Sequence, residues 1–289
     1  MLAKHLAVVG LGLIGGSVAR ALRAAGMVGH ISGYDPDSQR REEALSLGVI
    51  DSAAETPAAA VKNADLVIVA VPVLHTVEAL TAIRGAMAAG TVVTDVGSTK
   101  QSVVADVESV FGELPPWFVP GHPIAGTEKS GVANSLVDLF RKHRVILTPH
   151  ARQDAKALAL VRALWEACGA RVVEMAPAQH DAIFAATSHL PHILAYSFVD
   201  VIGKLDDSAS IFPNAGGGFR DFTRIASSSP QMWHDIVRAN APAVGELLTR
   251  QIADLQSLQA MIAGGRWDEL KAAFERARAA REHYLTQIE

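Results

Sequence analysis

The stretch His5–Gly26, HLAVVGLGLIGGSVARALRAAG, decides the fold. It reads as a buried apolar strand, a tight glycine turn and an amphipathic helix. Gly10, Gly12 and Gly15 make G-x-G-x-x-G, with Gly16 beside them. Only glycine allows the turn, the close approach of backbone to a pyrophosphate and the tight packing of helix on strand. The helix N-terminus behind it then offers free N–H groups and a positive dipole end, with Leu13 and Ile14 in its first turn. A lone glycine fingerprint is weak evidence, but this one has its context. The next strand, HISGYD, ends at Asp35, where such folds place an acid to accept the ribose hydroxyls. A carboxylate there repels a 2′-phosphate, so NAD is expected over NADP, although Arg40 and Arg41 follow closely.

Outward from that stretch, strands are expected at ADLVIVAVP, TVVTDV, WFVPG and RVILTP, alternating with helices such as Thr76–Gly90. Alternation of this kind argues a parallel doubly wound sheet with ligands at the carboxyl ends of the strands. Val71 and Pro72, the run Gly97-Ser98-Thr99-Lys100, and Gly121-His122 all lie at such ends. In GHPIAGTEKSG, Gly121–Gly131, glycines and proline argue against both helix and strand, so His122 is expected in a stiff loop. A hydride-transfer enzyme needs an acid or base at that place. Histidine is the residue whose unperturbed pKa, about 6.5, suits a base near neutrality.

The strand signal stops near Pro177. In TSHLPHILAYS a helix puts Ser188 and His192 four residues apart on one face, with His189 adjacent and Pro191 starting or kinking the helix. Either histidine alone is more often a core residue than a ligand, and H-x-x-H lacks nearby groups to complete a metal site. In AGGGFRDFTRIASS, glycines precede Arg220, Asp221 and Arg224, a plausible carboxylate clamp because guanidinium binds carboxylate bidentately. From Val244 through Leu247, Leu248, Ile252, Leu255 and Leu258 to Ile262 an apolar stripe runs at helical spacing, and an amphipathic helix follows it. Helical domains with such faces, joined to nucleotide-binding domains, often dimerise.

Composition narrows the classes. The chain has 289 residues, 49% of them hydrophobic, enough for about two domains, and a net charge of −4 with pI near 6.3. That is not the basic surface of a nucleic-acid binder. The single cysteine, Cys168, excludes a disulfide framework and suits a reducing cytoplasm. The apolar run Ala64–Leu74 is too short to cross a bilayer, and the N-terminal apolar segment runs into the glycine turn with no cleavage site, so a cytoplasmic protein without a membrane partner is expected.

Taken in order, GLGLIGGS, DVGSTK, GHPIAGTEKSG, SHLPH and GGGFRDFTRIA resemble the prephenate/arogenate (cyclohexadienyl) dehydrogenases of tyrosine biosynthesis, over Leu6 to about Tyr284. The resemblance implies NAD-dependent oxidative decarboxylation of a cyclohexadienol. In it His122 takes the ring-hydroxyl proton, and Ser98 hydrogen-bonds both His122 and that hydroxyl. Arg224 binds a substrate carboxylate and His192 is a second substrate contact. Ser188, His189, Glu128, Asp221, Ser228 and Trp233 match positions near the pocket. The expected architecture is α/β: a Rossmann-type doubly wound parallel sheet over 1–176, then an all-helical substrate-binding and dimerisation domain over 177–289. The rival readings are a hydroxyacid dehydrogenase or imine reductase, whose helix lysine has only Lys204 as a candidate here, and a non-catalytic NAD-responsive regulator. Gln179, neutral in AQHD, leans toward prephenate, and use of both substrates is also expected.

Overall fold

A computed structural model describes residues 1–288. Six strands, β1 (Ala3–Val9), β2 (Val28–Tyr34), β3 (Ser52–Ala53), β4 (Leu66–Val69), β5 (Val92–Asp95) and β6 (Phe118–Val119), form one sheet in the order β3-β2-β1-β4-β5-β6. Every pairing in it is parallel. Central parallel strands are buried on both faces, which is why β4 is wholly apolar and β1 is so from Leu6 to Val9. Alternate side chains divide between two cores. Leu6, Val8, Leu66 and Ile68 join one with α1 (Leu13–Ala24), α2 (Ser38–Ser46) and, later in the chain, the helix Ala155–Ala167. Ala7, Val9, Val67 and Val69 join the other with α3 (Pro57–Val61), α4 (Thr76–Ile83) and α5 (Gln101–Phe111). Helices therefore cover both faces, and the strand order reverses between β1 and β4, where such sheets bind their ligands. The helix Ala155–Ala167 is α6.

The sequence expectation of one sheet is corrected at its end. RVIL forms β8 (Arg144–Leu147) in a second sheet, between β7 (Gly121–Pro123) and β9 (Arg171–Glu174). His122, expected in a loop, sits in β7 opposite Ile146, antiparallel. The cause is Pro120, which has no N–H to continue a ladder. The next N–H, of Gly121, turns to Asp95 Oδ1 at 3.0 Å, and the chain leaves β5 for β8.

After β9 the chain is helical: α7 (Pro177–Phe184), a π-helical turn (Ala185–His189), α8 (Leu190–Gly203), α9 (Ser208–Ile211), α10 (Gly217–Thr223), a 3₁₀ turn (Arg224–Ser227) and α11 (Pro230–Ala239). Pro191 stands just after the π-helical turn, inside a helix that runs on without a break, so it neither starts nor ends it. Pro177–Gly203 is one continuous helix, with a mean hydropathy of 1.2 in its most apolar window, long and apolar enough to cross a bilayer by those measures alone. It also holds buried His180, Asp181 and His189, which tie it to the sheet body.

The chain divides into two compact units, Met1–Ala241 and Pro242–Glu289. Strand gives way to helix near residue 177, as the sequence suggests, but the helices through α11 share the unit of the sheet. The later unit is built from α12 (Ala241–Ala263) and α13 (Trp267–Ile288), joined through Gly265 at φ +65°. Its apolar stripe is largely uncovered: Ile252, Leu255, Ile262, Trp267, Phe274 and Tyr284 are exposed, and only Val244 is fully buried.

Candidate active site

The glycine turn is shaped by contacts that no side chain would survive. Gly10 has φ +103°, and a Cβ on it would lie 2.3 Å from the Ala70 carbonyl oxygen; one on Gly15 would lie 2.1 Å from the Gly10 carbonyl oxygen. These clashes press the turn between β1 and the Ala70-Val71-Pro72 segment that leaves β4. Gly12, by contrast, caps α1 in extended backbone with nothing within 4 Å of its would-be Cβ. No acidic residue occupies the first turn of α1, so Leu13, Ile14 and Gly15 present free N–H groups to an anion without a competing carboxylate. Asp35 is buried; its Oδ2 accepts from Leu11 N at 3.0 Å and its Oδ1 from Asp37 N at 3.1 Å. Of the two following arginines, Arg41 donates to the Asp35 carbonyl and to Glu55. Arg40, 3.8 Å from Asp35, is half exposed. These residues fit a dinucleotide: an open amide turn for its phosphates and a fixed carboxylate for a ribose.

The second cluster surrounds His122. Fully buried Lys100 donates to Asp95 Oδ2 at 2.5 Å and to the Gly121 carbonyl at 2.6 Å. Asp95 Oδ2 also accepts from Gly97 N. One ion pair thus holds the Gly97–Lys100 turn against the strand that carries the imidazole. His122 Nδ1 lies 2.8 Å from His180 Nε2, and His180 Nδ1 lies 2.8 Å from Asp181 Oδ1. Phe184 packs edge-on to His122, with ring centroids 5.1 Å apart. Burial, then the nearby His180, Lys100 and His189, drive the His122 pKa well below its ordinary 6.5. The ring is neutral at physiological pH, and Nε2 is its one uncommitted nitrogen among the described residues.

The remaining expected residues separate. Ser98 is half buried beside this cluster, but no hydrogen bond joins it to His122, whose Nδ1 is taken by His180. His189 is buried and meets the Asn240 amide at 3.2 Å; burial lowers its pKa to about 4. It forms wall. His192 stacks on Trp233, centroids 3.5 Å apart, and its Nδ1 donates to the Ser188 carbonyl at 2.8 Å, which leaves Nε2 with the lone pair. Burial lowers the His192 pKa, the Ser188 bond opposes it, and the charge of nearby Arg224 adds a smaller lowering. Arg224 and Arg220 are both exposed, and neither makes a salt bridge or side-chain hydrogen bond among the described residues. Arg224 is thus a free cation beside a histidine. Glu128 and Asp221 are exposed, and the Ser228 carbonyl accepts from Tyr196 at 2.6 Å. Sequence reasoning passed over His180, Asp181, Asp95 and Asn240, and placed Lys100 at a strand end without giving it a role. The adjacent His180-Asp181 in AQHD was the available signal. Among the described residues no group of three or more His, Cys, Asp or Glu is placed to hold a metal.

A dinucleotide cradle and a neutral imidazole at the carboxyl edge of a doubly wound sheet define a dinucleotide-dependent oxidoreductase. Comparison with known proteins narrows this. The nucleotide-binding domain of prephenate dehydrogenase matches residues 18–174, and its dimerization domain matches residues 176–276. A cyclohexadienyl dehydrogenase of Zymomonas mobilis is 38% identical over 96% of this chain and 95% of its own length. The prephenate dehydrogenase of Bacillus subtilis is 39% identical over 88% of this chain and 68% of its own length. The crystal structure of prephenate dehydrogenase from A. aeolicus with hydroxyphenyl propionate and NAD⁺ superposes with TM-score 0.89 at 37% identity, covering 97% of this chain and 98% of that one. The chain belongs to the prephenate dehydrogenase family. A 3-hydroxyisobutyrate dehydrogenase from Salmonella typhimurium, at 14% identity and TM-score 0.57, shares the fold alone.

Proposed function

We propose that this chain is an NAD-dependent cyclohexadienyl dehydrogenase that converts prephenate to 4-hydroxyphenylpyruvate, arogenate to tyrosine, or both. Gly10, Gly12, Leu13, Ile14 and Gly15 hold the pyrophosphate, Asp35 the ribose hydroxyls, and Val71, Pro72 and Gly97 line the nicotinamide end. NAD, when bound, supplies the hydride acceptor. His122 Nε2 takes the proton from the ring hydroxyl, and Ser98 supplies a second hydrogen bond to that oxygen. With the proton and hydride gone and carbon dioxide released, the ring becomes aromatic, which drives the reaction. Arg224 holds a carboxylate of the substrate, and His192, Ser188, His189, Glu128 and Ser228 shape the rest of the pocket.

The observation that carries this reading is the His122 ring, neutral, with Nδ1 engaged and Nε2 free at the edge where the glycine turn also lies. Residues 177–289 supply the substrate wall and a homodimer contact, for which the uncovered stripe Ile252, Leu255, Ile262 on α12 is the apolar surface. The composition supports a cytoplasmic enzyme acting on a small molecule, with neither nucleic acid nor membrane as partner. The direct test follows NADH absorbance with NAD and either prephenate or arogenate. Comparing kcat/KM for the two ranks them, and no turnover with either ends the proposal. His122→Asn should bind NAD and substrate but lose about 10²–10⁴ in kcat, the usual contribution of a general base. Light scattering should give twice the chain mass.

A further inference from the structure

The imidazole of His122 ends a chain of groups whose hydrogen positions follow from the acceptors alone. Asp181 Oδ1 accepts from Lys100 N at 2.7 Å and Oδ2 accepts from Gln101 N at 2.9 Å. It therefore caps α5, an eleven-residue helix whose positive end favours the anion. Those two amides and His180 hold its pKa down against burial. An anionic Asp181 can only accept, so His180 Nδ1 carries a hydrogen and donates to it. His180 is wholly buried, and burial and Lys100 keep it from taking a second proton, so its Nε2 bears a lone pair. Two lone pairs do not face each other at 2.8 Å, so His122 Nδ1 carries the hydrogen and donates to His180. What remains on His122 Nε2 is a lone pair.

We infer that His180 and Asp181 are positioning residues: Asp181 fixes the tautomer of His180, His180 fixes that of His122, and the lone pair that abstracts the proton is thereby kept on Nε2. This rests on the reading of His122 as the base. A mere helix cap would need Asp181 but not the histidine between it and the base. Phe184, with centroids 4.5 Å from His180 and 5.1 Å from His122, packs both rings in place. The other charged or titratable groups facing His122 are Lys100, before α5, and His189, in the π-helical turn.

Asp181→Asn is the discriminating variant. It is nearly isosteric; with its oxygen kept toward Gln101 N, its NH₂ stands where Oδ1 stood, gives up the Lys100 N bond and donates to His180 Nδ1. That moves the hydrogen of His180 to Nε2 and the hydrogen of His122 to Nε2, where the lone pair was. A carboxylate-to-amide change of this kind behind a catalytic histidine costs on the order of 10⁴ in kcat in the serine proteases, so a loss of about 10²–10⁴ is expected, with KM and NAD affinity within about threefold. His180→Gln keeps one acceptor and one donor and should retain more kcat than His180→Leu, whereas a purely structural role would rank them by Tm alone. In the wild-type enzyme with NAD bound, ¹⁵N NMR should find His122 protonated at Nδ1. An Asp181→Asn enzyme whose His122 is protonated at Nε2 yet keeps wild-type kcat, or a wild-type His122 protonated at Nε2, overturns the inference. The NMR result decides alone if the variants do not fold. If His122→Asn is slow while an Asp181→Asn enzyme so protonated is unaffected, only this inference falls. If His122→Asn keeps its rate, the base assignment falls with it.

Discussion

Lys100 Nζ reaches Asp95 and the Gly121 carbonyl together, at 2.5 and 2.6 Å, with the lysine side chain entirely shut from solvent. Removing one partner of a buried pair leaves an uncompensated charge, which typically costs about 3–5 kcal/mol. Lys100→Met should lower stability in urea unfolding by that order and loosen the strand that bears His122, so kcat should fall as well. A loss under about 1 kcal/mol, the value of a surface pair, would show that the pair does not anchor this strand.

Acidity should act on the rate later than an ordinary histidine would suggest. The base works when neutral, and the His122 pKa lies well below 6.5. In a pH–rate profile kcat should stay level through pH 6.5 and fall only in more acid solution. His122→Asn should lack that limb. A wild-type limb centred at or above 6.5 would contradict the buried setting.

Stability should respond to acid sooner. His122, His180, His189 and His192 all have lowered pKa values, so below about pH 6.5 the unfolded chain binds protons that the folded chain refuses. Stability is therefore complete above pH 6.5 and declines as pH falls through the window between the unfolded and folded values. For His189, lowered to about 4, the loss by the bottom of that window is roughly 3 kcal/mol at 1.36 kcal/mol per unit. Denaturant midpoints between pH 7 and 4 should fall monotonically, and His189→Gln should flatten the slope. A midpoint constant over that range would refute the burial of these rings.

Asp35 should govern the cofactor. Both its oxygens are already oriented by backbone amides, so its charge is fixed where a 2′-phosphate would lie. Asp35→Ser should weaken NAD and narrow the gap to NADP, with half-exposed Arg40 rather than Glu55-bound Arg41 receiving the phosphate. An unchanged NAD/NADP ratio in kcat/KM would remove Asp35 from this role.

Arg224 should act on substrate affinity. It is exposed and carries no competing partner among the described residues, so its contribution is that of a charge-assisted bond, about 1.5–3 kcal/mol, or roughly 10- to 100-fold in kcat/KM. Arg224→Ala should raise KM with NAD binding intact. A larger effect from Arg220→Ala would give the clamp to the other arginine.

Much of the architecture was legible because it is written locally. Gly15 is obligatory for a contact within its own turn, and Asp35 follows from the strand that ends on it, whereas the contact that demands Gly10 is with distant Ala70. The alternation of strand and helix likewise needs only neighbouring residues. The second sheet was not legible, since RVIL looks the same in either sheet, and the change was made by Pro120 and by the hydrogen bond of Gly121 to distant Asp95. In SHLPH the residue types alone did not separate His189 from His192; only the resemblance made His192 the substrate contact. Packing buried one and bonded it to Asn240, and stacked the other on Trp233 near a free arginine.

The sequence by itself determined a dinucleotide-binding sheet, a helical region after Pro177 and an imidazole at a strand end, because glycine sterics, apolar periodicity and residue chemistry act over a few neighbouring positions. Only the tertiary structure decided which nitrogen of that imidazole is free. The answer depends on His180, 58 positions along the chain, and on Asp181 meeting Lys100 across 81 positions. A ring's tautomer is set by whichever donors and acceptors surround it, and in this protein folding brings them together from segments 58 and 81 positions apart.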